Sequence, residues 1–175
     1  MEREIRVYGY GGQGIITLGH LIGESAVEDK KEVIMTEEYS PYITGGWSRA
    51  DLIISDEKID YPLISGIDYL ITLSQEGLDV NIPFLKENAK IFLDSDLVDY
   101  SSVKDYEVIP IKAKRIAERI KNPRGMNIII FGAFIAKTNV VSKESAMNAV
   151  RKRFPKYAKI NIEAFEIGYG GGYNE

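Results

Sequence analysis

The sequence contains no cysteine and a single histidine, His20. Without cysteine, the chain cannot hold a disulfide scaffold, a cysteine nucleophile, a thiolate zinc site or an iron–sulfur cluster. One histidine leaves little room for a histidine-rich metal centre or a serine–histidine triad, so we expect no metal site. His20 itself falls opposite the apolar face of a predicted helix, which indicates a solvent-side or interface residue rather than a catalytic base.

Long apolar segments are also missing. The longest apolar stretch, within residues 126–136, is far shorter than the ~20 residues that span a bilayer. The first residues, 1–7, mix acidic with basic side chains and then enter a strand-like run, which is not the pattern of a signal peptide. The 175 residues, 45% hydrophobic and 27% charged, are typical of one globular domain. We therefore expect a single domain over residues 1–175, located in the cytoplasm.

The chain as a whole lacks a basic surplus, although one half of it is basic. Residues 1–100 contain 8 Lys and Arg against 19 Asp and Glu, whereas residues 101–175 contain 14 against 7. The formal net charge of −4 argues against a general nucleic-acid-binding protein. The basic half predicts either solvated helix faces or a patch for phosphates or an acidic partner protein.

The pattern near the N-terminus predicts a strand, a glycine turn, a helix and a second strand. Residues 5–8 favour a strand, Gly9–Gly14 form the turn, apolar residues recur at helical spacing over 15–26, and residues 32–36 favour the next strand. This order is typical of a βαβ unit with a right-handed crossover and parallel strands. We therefore predict the α/β class, with a Rossmann-like, mostly parallel sheet flanked by helices.

The rest of the chain continues this alternation. Further strands are predicted at residues 50–55, 69–73, 90–93 and 107–110, and further helices at residues 83–89, 112–121 and 142–153. Residues 126–138 are apolar nearly all round, which favours a buried helix, although residues 128–131 alone are compatible with a strand. The glycine-rich residues 168–173 indicate a mobile tail.

The glycine turn has the spacing of a dinucleotide-binding fingerprint, with Gly9, Gly11 and Gly14 between a strand and a helix. Such glycines allow a tight turn and close backbone approach to a phosphate at the helix N-terminus. An NAD(P)-dependent enzyme would also need an acid after the second strand, and Glu37 and Glu38 lie near that distance. A turn that only makes the fold compact is the alternative, and a Walker motif is excluded because no Gly-Lys-Ser/Thr follows.

A second loop, residues 39–49, is rich in proline, glycine, serine and aromatic residues. Ligands of open α/β sheets bind at the carboxyl ends of the strands, where loops of this kind lie. We therefore expect the two glycine loops to face each other and to form an aromatic-lined crevice. The alternative is that Tyr39, Tyr42 and Trp47 cover the sheet edge or a subunit interface.

Three motifs in order resemble one family along nearly the whole chain. These are the strand–GxGGQG–helix at residues 9–14, the pattern Tyr-x-Pro-x-x-x-Gly-Gly at 39–46, and the turn Ile-Ser-Asp-Glu-x-Ile at 54–59. Together with the segment 127–133, they are similar to the gamma subunit of 2-oxoacid:ferredoxin (acceptor) oxidoreductases. In the second loop, family members often carry a glycine, an acid and an arginine where this chain has Ser40, Tyr42 and Thr44, so the role of that arginine is not carried over.

The resemblance implies one subunit of a complex that oxidatively decarboxylates a 2-oxoacid, forms acyl-coenzyme A and reduces ferredoxin. Thiamine diphosphate, magnesium and iron–sulfur clusters would lie on alpha and beta subunits, with a delta or ferredoxin-like subunit as a further partner. The chain would help to form the coenzyme A site, would have no catalytic residue and would be inactive alone. It would bind neither nucleic acid nor membrane, and the isolated chain could form a homodimer. The 2-oxoacid is not identified, with 2-oxoglutarate favoured over pyruvate and branched-chain acids.

The resemblance and the glycine pattern together give a set of candidate contacts to coenzyme A. The candidates are Gly11, Gly12, Gln13, Gly14, Gly45, Gly46 and Asn127. For Asn127, a helix-capping role is the alternative. Arg49 and Lys112 are the candidate cations for the phosphate groups. Two other functions remain open, namely a self-sufficient NAD(P)-binding oxidoreductase and a non-catalytic α/β assembly module.

Overall fold

The computed structural model describes residues 1–41 and 45–173, which form one six-stranded sheet with α-helices packed against it. The strands are β1 (Glu2–Tyr10), β2 (Glu32–Tyr39), β3 (Trp47–Ser55), β4 (Ile67–Thr72), β5 (Leu85–Asp94) and β6 (Glu107–Ile111). The helices are α1 (Ile15–Glu28), α2 (Gln75–Asn81), α3 (Ala113–Arg119), α4 (Met126–Thr138), α5 (Lys143–Arg153) and α6 (Ala158–Tyr169). Among these residues, none of the helices combines the length and the apolar character that crossing a bilayer requires.

The strand order is β2-β3-β1-β4-β5-β6. The strands β1, β4, β5 and β6 are parallel, whereas β3 runs antiparallel to both β2 and β1. The predicted α/β class with a mostly parallel sheet is therefore confirmed. The strands β1 and β2 of the predicted βαβ unit are parallel to each other, since both run antiparallel to β3, but they are not neighbours because β3 lies between them.

The insertion of β3 has a physical reason. The connection from β2 to β3 is too short for a crossover, so β3 returns beside β2 as an antiparallel hairpin. Almost every residue of β3 is buried, which suits a strand with a neighbour on each side. The strand β2 is only half-buried and carries Glu32, Glu37 and Glu38, which suits the edge of a sheet.

The helix α4 lies in the centre of the helical layer. The apolar segment is a helix and not a strand, and nearly all of its residues are buried. It packs against α6 at very short range, because a Cβ atom at Gly132 would collide with the carbonyl oxygen of Phe165. The rings of Phe131 and Phe165 pack edge to face with centroids 5.5 Å apart. The Gly-Ala content of this segment therefore serves close helix packing.

Two local predictions are wrong, and two helices, α2 and α6, had no prediction. The helix predicted at residues 83–89 is a 3₁₀ turn at Ile82–Phe84 followed directly by β5, because the proline begins only that turn. The helix α2 was not predicted, since seven residues are too few to show a period. The glycine-rich end is not a free tail, because Tyr173 is buried and its carbonyl oxygen accepts a hydrogen bond of 3.4 Å from the Lys112 amide.

The acidic and basic halves of the chain meet between α1 and α5. Lys152 Nζ lies 2.8 Å from Glu28 Oε2, and Arg153 Nη1 lies 3.5 Å from Glu24 Oε1. The side chain of Lys152 is 72% exposed, so such a pair contributes little to stability. Part of the basic surplus is therefore a solvated helix face paired with its acidic neighbour.

Candidate functional site

The glycine turn connects β1 to α1 in an unusual backbone conformation. Gly12 and Gly14 have φ angles of 88° and 75°, which only glycine adopts without strain. Gly14 is also the N-cap of α1, with no capping side chain and no acid in the first turn. The amides of that first turn have no acceptor within the helix, so they present a positive dipole end beside the turn.

The two glycine loops face each other, as predicted. The Gly11 amide donates to the Gly46 carbonyl at 3.0 Å, because β3 pairs directly with β1 and brings its preceding loop to the carboxyl end of β1. A cavity of about 300 Å³ lies between the loops. We call it the glycine groove, and its lining residues are Tyr10, Gly11, Gly12, Gly14, Ile15, Ile16, Thr17, Tyr39, Ser40, Gly45, Gly46, Trp47 and Ser48. Tyr42 and Thr44 lie outside the described residues.

Gln13 does not line the glycine groove, although it was a candidate contact. Its Oε1 accepts from the Tyr10 amide at 2.7 Å, and its Nε2 donates to the Leu73 carbonyl at 2.9 Å. The side chain therefore ties the loop to the ends of β1 and β4. A role in shaping the loop fits this geometry better than a contact to a ligand.

Asn127 also stabilises the glycine turn, through a hydrogen bond to its backbone. Its Nδ2 donates to the Gly14 carbonyl at 3.1 Å, and the residue is only 5% exposed. It does not cap α4, whose N-cap is Gly125 and which has no side-chain cap. A Cβ atom on Gly14 would collide with the Asn127 amide. The apolar helix and the glycine turn are therefore fitted to each other at this point.

Aromatic residues form one wall of the glycine groove. The Trp47 ring stacks on Tyr8 at a centroid distance of 5.6 Å. The hydroxyls of Tyr8 and Tyr10 donate to the two carboxylate oxygens of Glu76, at 3.2 and 2.8 Å. Burial, together with the Glu76 charge, raises the pKa of Tyr8 well above its ordinary value. Tyr8 therefore stays neutral and supports the ring of Trp47, which lines the glycine groove.

The candidate cations lie elsewhere. Arg49 Nη2 pairs with Glu38 at 2.7 Å, and its Nε lies 3.6 Å from Asp51. Lys112 follows β6, three strands away from β1, which is roughly 14 Å at the usual spacing. No lysine or arginine lines the glycine groove among the described residues. Its electrostatic character therefore comes from backbone dipoles.

The acid that an NAD(P) site needs is not beside the glycine turn. Glu37 contacts His20 Nε2 at 2.9 Å and accepts from the Tyr39 hydroxyl at 2.6 Å, while Glu38 pairs with Arg49. Both lie on β2, which β3 separates from β1. Neither glutamate lines the described part of the glycine groove, which argues against a ribose-binding acid there. The same arrangement places the half-buried His20 against Glu37, outside the described lining of the glycine groove.

Comparison with known proteins finds relatives of nearly the same length, one of them with a solved structure of the same fold. The family model described as "Pyruvate ferredoxin/flavodoxin oxidoreductase" matches residues 4–171. The 2-oxoglutarate synthase subunit KorC of Methanocaldococcus jannaschii is 40% identical over 174 residues, which cover 97% of this chain and 93% of that subunit. The keto/oxoacid ferredoxin oxidoreductase gamma subunit of Geobacter sulfurreducens superposes with a TM-score of 0.87 at 35% identity, covering 97% of this chain and 95% of that one.

In other relatives the same fold is part of a longer chain. The chain covers 36% of the ketoisovalerate oxidoreductase subunit VorA of Methanothermobacter marburgensis, at 26% identity. It covers 30% of a chain of the Magnetococcus marinus 2-oxoglutarate:ferredoxin oxidoreductase, whose structure contains 2-oxoglutarate, coenzyme A and succinyl-CoA, with a TM-score of 0.88 and 24% identity. At that identity the likeness shows the fold alone. From the family match and the near full-length relatives, the chain belongs to the pyruvate ferredoxin/flavodoxin oxidoreductase family, as a gamma-type subunit of a 2-oxoacid:ferredoxin oxidoreductase.

Proposed function

We propose that the complex containing this subunit acts on 2-oxoglutarate. The complex would oxidise 2-oxoglutarate with coenzyme A to succinyl-CoA and carbon dioxide, and would pass the two electrons to ferredoxin. The proposal is supported by the KorC subunits, which are 32–40% identical at nearly full length, whereas VorA and PorC subunits are 25–30% identical. Residues 1–175 would act as one gamma-type domain.

Within the complex, the glycine groove would hold part of coenzyme A. The observation that carries this role is the uncapped start of α1, whose free amides face a groove bordered by Gly12 and Gly14. These amides suit a phosphate oxygen or the amide carbonyls of the pantetheine arm. A volume of about 300 Å³ is at the lower end of ligand pockets. The rest of so large a molecule would therefore lie against a companion subunit.

The redox chemistry would take place on companion subunits. The chain has no cysteine to ligate an iron–sulfur cluster, and its sequence lacks the Gly-Asp-Gly…Asn-Asn pattern of a thiamine diphosphate and magnesium site. Alpha and beta subunits would supply these cofactors. The role of this chain would be to bind and orient coenzyme A at the active-site entrance.

The substrate assignment is tested on the native complex. Anaerobic affinity purification should recover the chain with companion subunits, and 2-oxoglutarate should reduce a viologen dye faster than pyruvate or 2-oxoisovalerate does. A faster reaction with either other acid would overturn the substrate assignment. Recovery of the chain only as a free homo-oligomer would overturn the subunit role.

The binding role is tested on the isolated chain by calorimetry. We expect coenzyme A to bind and NADH not to bind. Gly12→Ala should weaken coenzyme A by at least roughly tenfold, or about 1.4 kcal/mol, because the new methyl group strains the loop at a φ of 88°. Gly171→Ala is the matched control, since Gly171 has a φ of 82° and the same open surroundings but lies outside the groove. NADH binding would favour an NAD(P) enzyme. Binding of neither ligand, with companion subunits still recovered from the native source, would favour an assembly module.

A further inference from the structure

A second and larger groove lies at the edge of the sheet. Its volume is about 780 Å³, and we call it the edge groove, formed by α1, β2 and the end of α5. Its floor is apolar and includes Val27, Val33 and Met35. Val27 is 62% exposed, and Val33 and Met35 are only partly buried. An apolar floor of this kind, left open beside an edge strand, is typical of an interaction surface.

The backbone of β2 is available for pairing along the same groove. The Ser40 amide donates to the Trp47 carbonyl at 2.8 Å, and the β2–β3 register continues without a shift. Since hydrogen-bonded pairs alternate in an antiparallel ladder, the even-numbered residues of β2 bond to β3. The odd-numbered residues 33, 35, 37 and 39 therefore direct their N–H and C=O groups outward. No strand pairs with that side among the described residues.

The charge of the edge groove indicates which kind of strand could pair with β2. The strand β2 carries three glutamates and no lysine or arginine, and α1 adds Glu24 and Glu28 to the wall. A second copy of this chain paired along β2 would bring six strand carboxylates into one interface, which is unfavourable. A strand that carries a lysine or arginine would instead complement Glu37. The existing basic partners of these acids are His20, Lys152, Arg153 and Arg49, and the Tyr39 hydroxyl and the Asn148 amide also donate to Glu37 and Glu28.

We propose that β2 accepts an extended segment of a companion chain as a seventh strand. Apolar side chains of that segment would cover Val33 and Met35, and a lysine or arginine would lie beside Glu37. Addition of a strand to a free edge is an established mode of peptide recognition. This chain covers 36% of the length of the VorA subunit. In VorA, therefore, other protein segments are covalently linked to the matching region. The inference rests on the proposed function, because the occupant belongs to the same complex.

Hydrogen exchange with residue-level fragmentation tests the pairing. The outward amides of residues 33, 35, 37 and 39 should exchange at least roughly tenfold more slowly in the purified complex than in the isolated chain. Equal exchange in the two samples would overturn the proposal. Protection that appears in the isolated chain as its concentration rises would also overturn it, because the occupant would then be a second copy. Coenzyme A binding to the isolated chain is a separate readout of the proposed function.

Two substitutions at one position separate hydrogen bonding from charge. Glu37→Pro removes an outward N–H but no bond to β3, which an edge strand tolerates. It should abolish co-purification with the companion chains while unfolding temperature and coenzyme A affinity stay close to wild type. Glu37→Gln keeps the N–H and should retain assembly, with weaker dependence on salt. Normal assembly of the Pro variant would overturn the proposal, and if that variant is unstable the exchange measurement decides alone.

Discussion

The glycine groove and the edge groove are built from different parts of the chain. The smaller, about 300 Å³, consists of backbone amides, glycines and aromatic rings, whereas the larger, about 780 Å³, consists of apolar and charged side chains beside a free strand. Volume alone would select the edge groove as the ligand site. Unpaired backbone donors at a helix start select the glycine groove instead. The kind of unsatisfied group, rather than the size of a cavity, indicates what binds there.

The two grooves also differ in how they are held. Gln13 and Asn127 fix the glycine turn through hydrogen bonds to main-chain atoms. The edge groove is bordered by ion pairs such as Lys152–Glu28, in which the lysine is largely exposed. Hydrogen bonds to partly buried main-chain carbonyls, such as those from Gln13 and Asn127, cost more to lose than exposed ion pairs do. We therefore expect changes in the glycine groove to have the larger effects.

The largest effect is expected for Gly14→Ala. The new Cβ atom would collide with the Asn127 amide, at a residue whose φ is 75°. We expect about 2–4 kcal/mol of destabilisation, measured by thermal unfolding, and loss of coenzyme A binding. Gly171→Ala carries the same backbone strain without a clash and should cost only about 1 kcal/mol. Equal losses of unfolding free energy in the two variants would contradict the close packing of the glycine turn against Asn127 of α4.

A smaller effect is expected for Gln13→Ala. The variant leaves the exposed Tyr10 amide and the partly buried Leu73 carbonyl without their present partner. Water can replace the exposed bond, so we expect a cost of about 1 kcal/mol. Gln13→Glu keeps the acceptor for the Tyr10 amide and loses the donor to Leu73. It should lie between wild type and Gln13→Ala in both unfolding temperature and coenzyme A affinity. An alanine variant that loses affinity without losing stability would indicate a direct ligand contact by Gln13.

Acid should loosen the start of α5, where Asp29 binds Ser142 and Ser145, before it affects the glycine groove. Burial alone would raise the pKa of Asp29, but hydrogen bonds from Ser145 and Ser142 hold that pKa below its ordinary value. A lowered pKa means that the stabilisation is complete above the unfolded value near 4 and is lost as the pH falls through the folded value. Hydrogen exchange should therefore show α5 loosening below about pH 4. No Asp or Glu lines the described part of the glycine groove. The amides of residues 9–14 should therefore stay protected from exchange to a lower pH than those of α5. Loss of protection in both regions at the same pH would contradict this prediction.

The smallest effect is expected for Lys152→Gln. The variant removes a cation that is 72% exposed and paired with Glu28, so it should change the free energy of unfolding by less than about 1 kcal/mol. Coenzyme A affinity should not change, since Lys152 does not line the glycine groove. Denaturant unfolding and calorimetry measure the two quantities. A clear loss of affinity would place the ligand in the edge groove.

The sequence was sufficient for the parts of the fold that depend on local patterns. Glycine spacing predicted the β1–α1 turn, and the apolar run predicted the buried helix α4, because both signals lie within one segment. The position of β3 could not be predicted in this way, since strand order depends on pairing between distant segments. The role of Gln13 was missed for the same reason, because its partner Leu73 lies 60 positions further along the chain. The tail was misjudged because burial of Tyr173 depends on contacts elsewhere in the fold.

The most direct test of the account is nuclear magnetic resonance of the isotope-labelled 19.7 kDa chain titrated with coenzyme A. We expect the amide signals of Gly11–Thr17 and Gly46–Ser48 to shift as the ligand binds, while those of Val27, Val33 and Met35 stay in place. Shifts confined to the edge groove, with the glycine groove unchanged, would contradict the central claim.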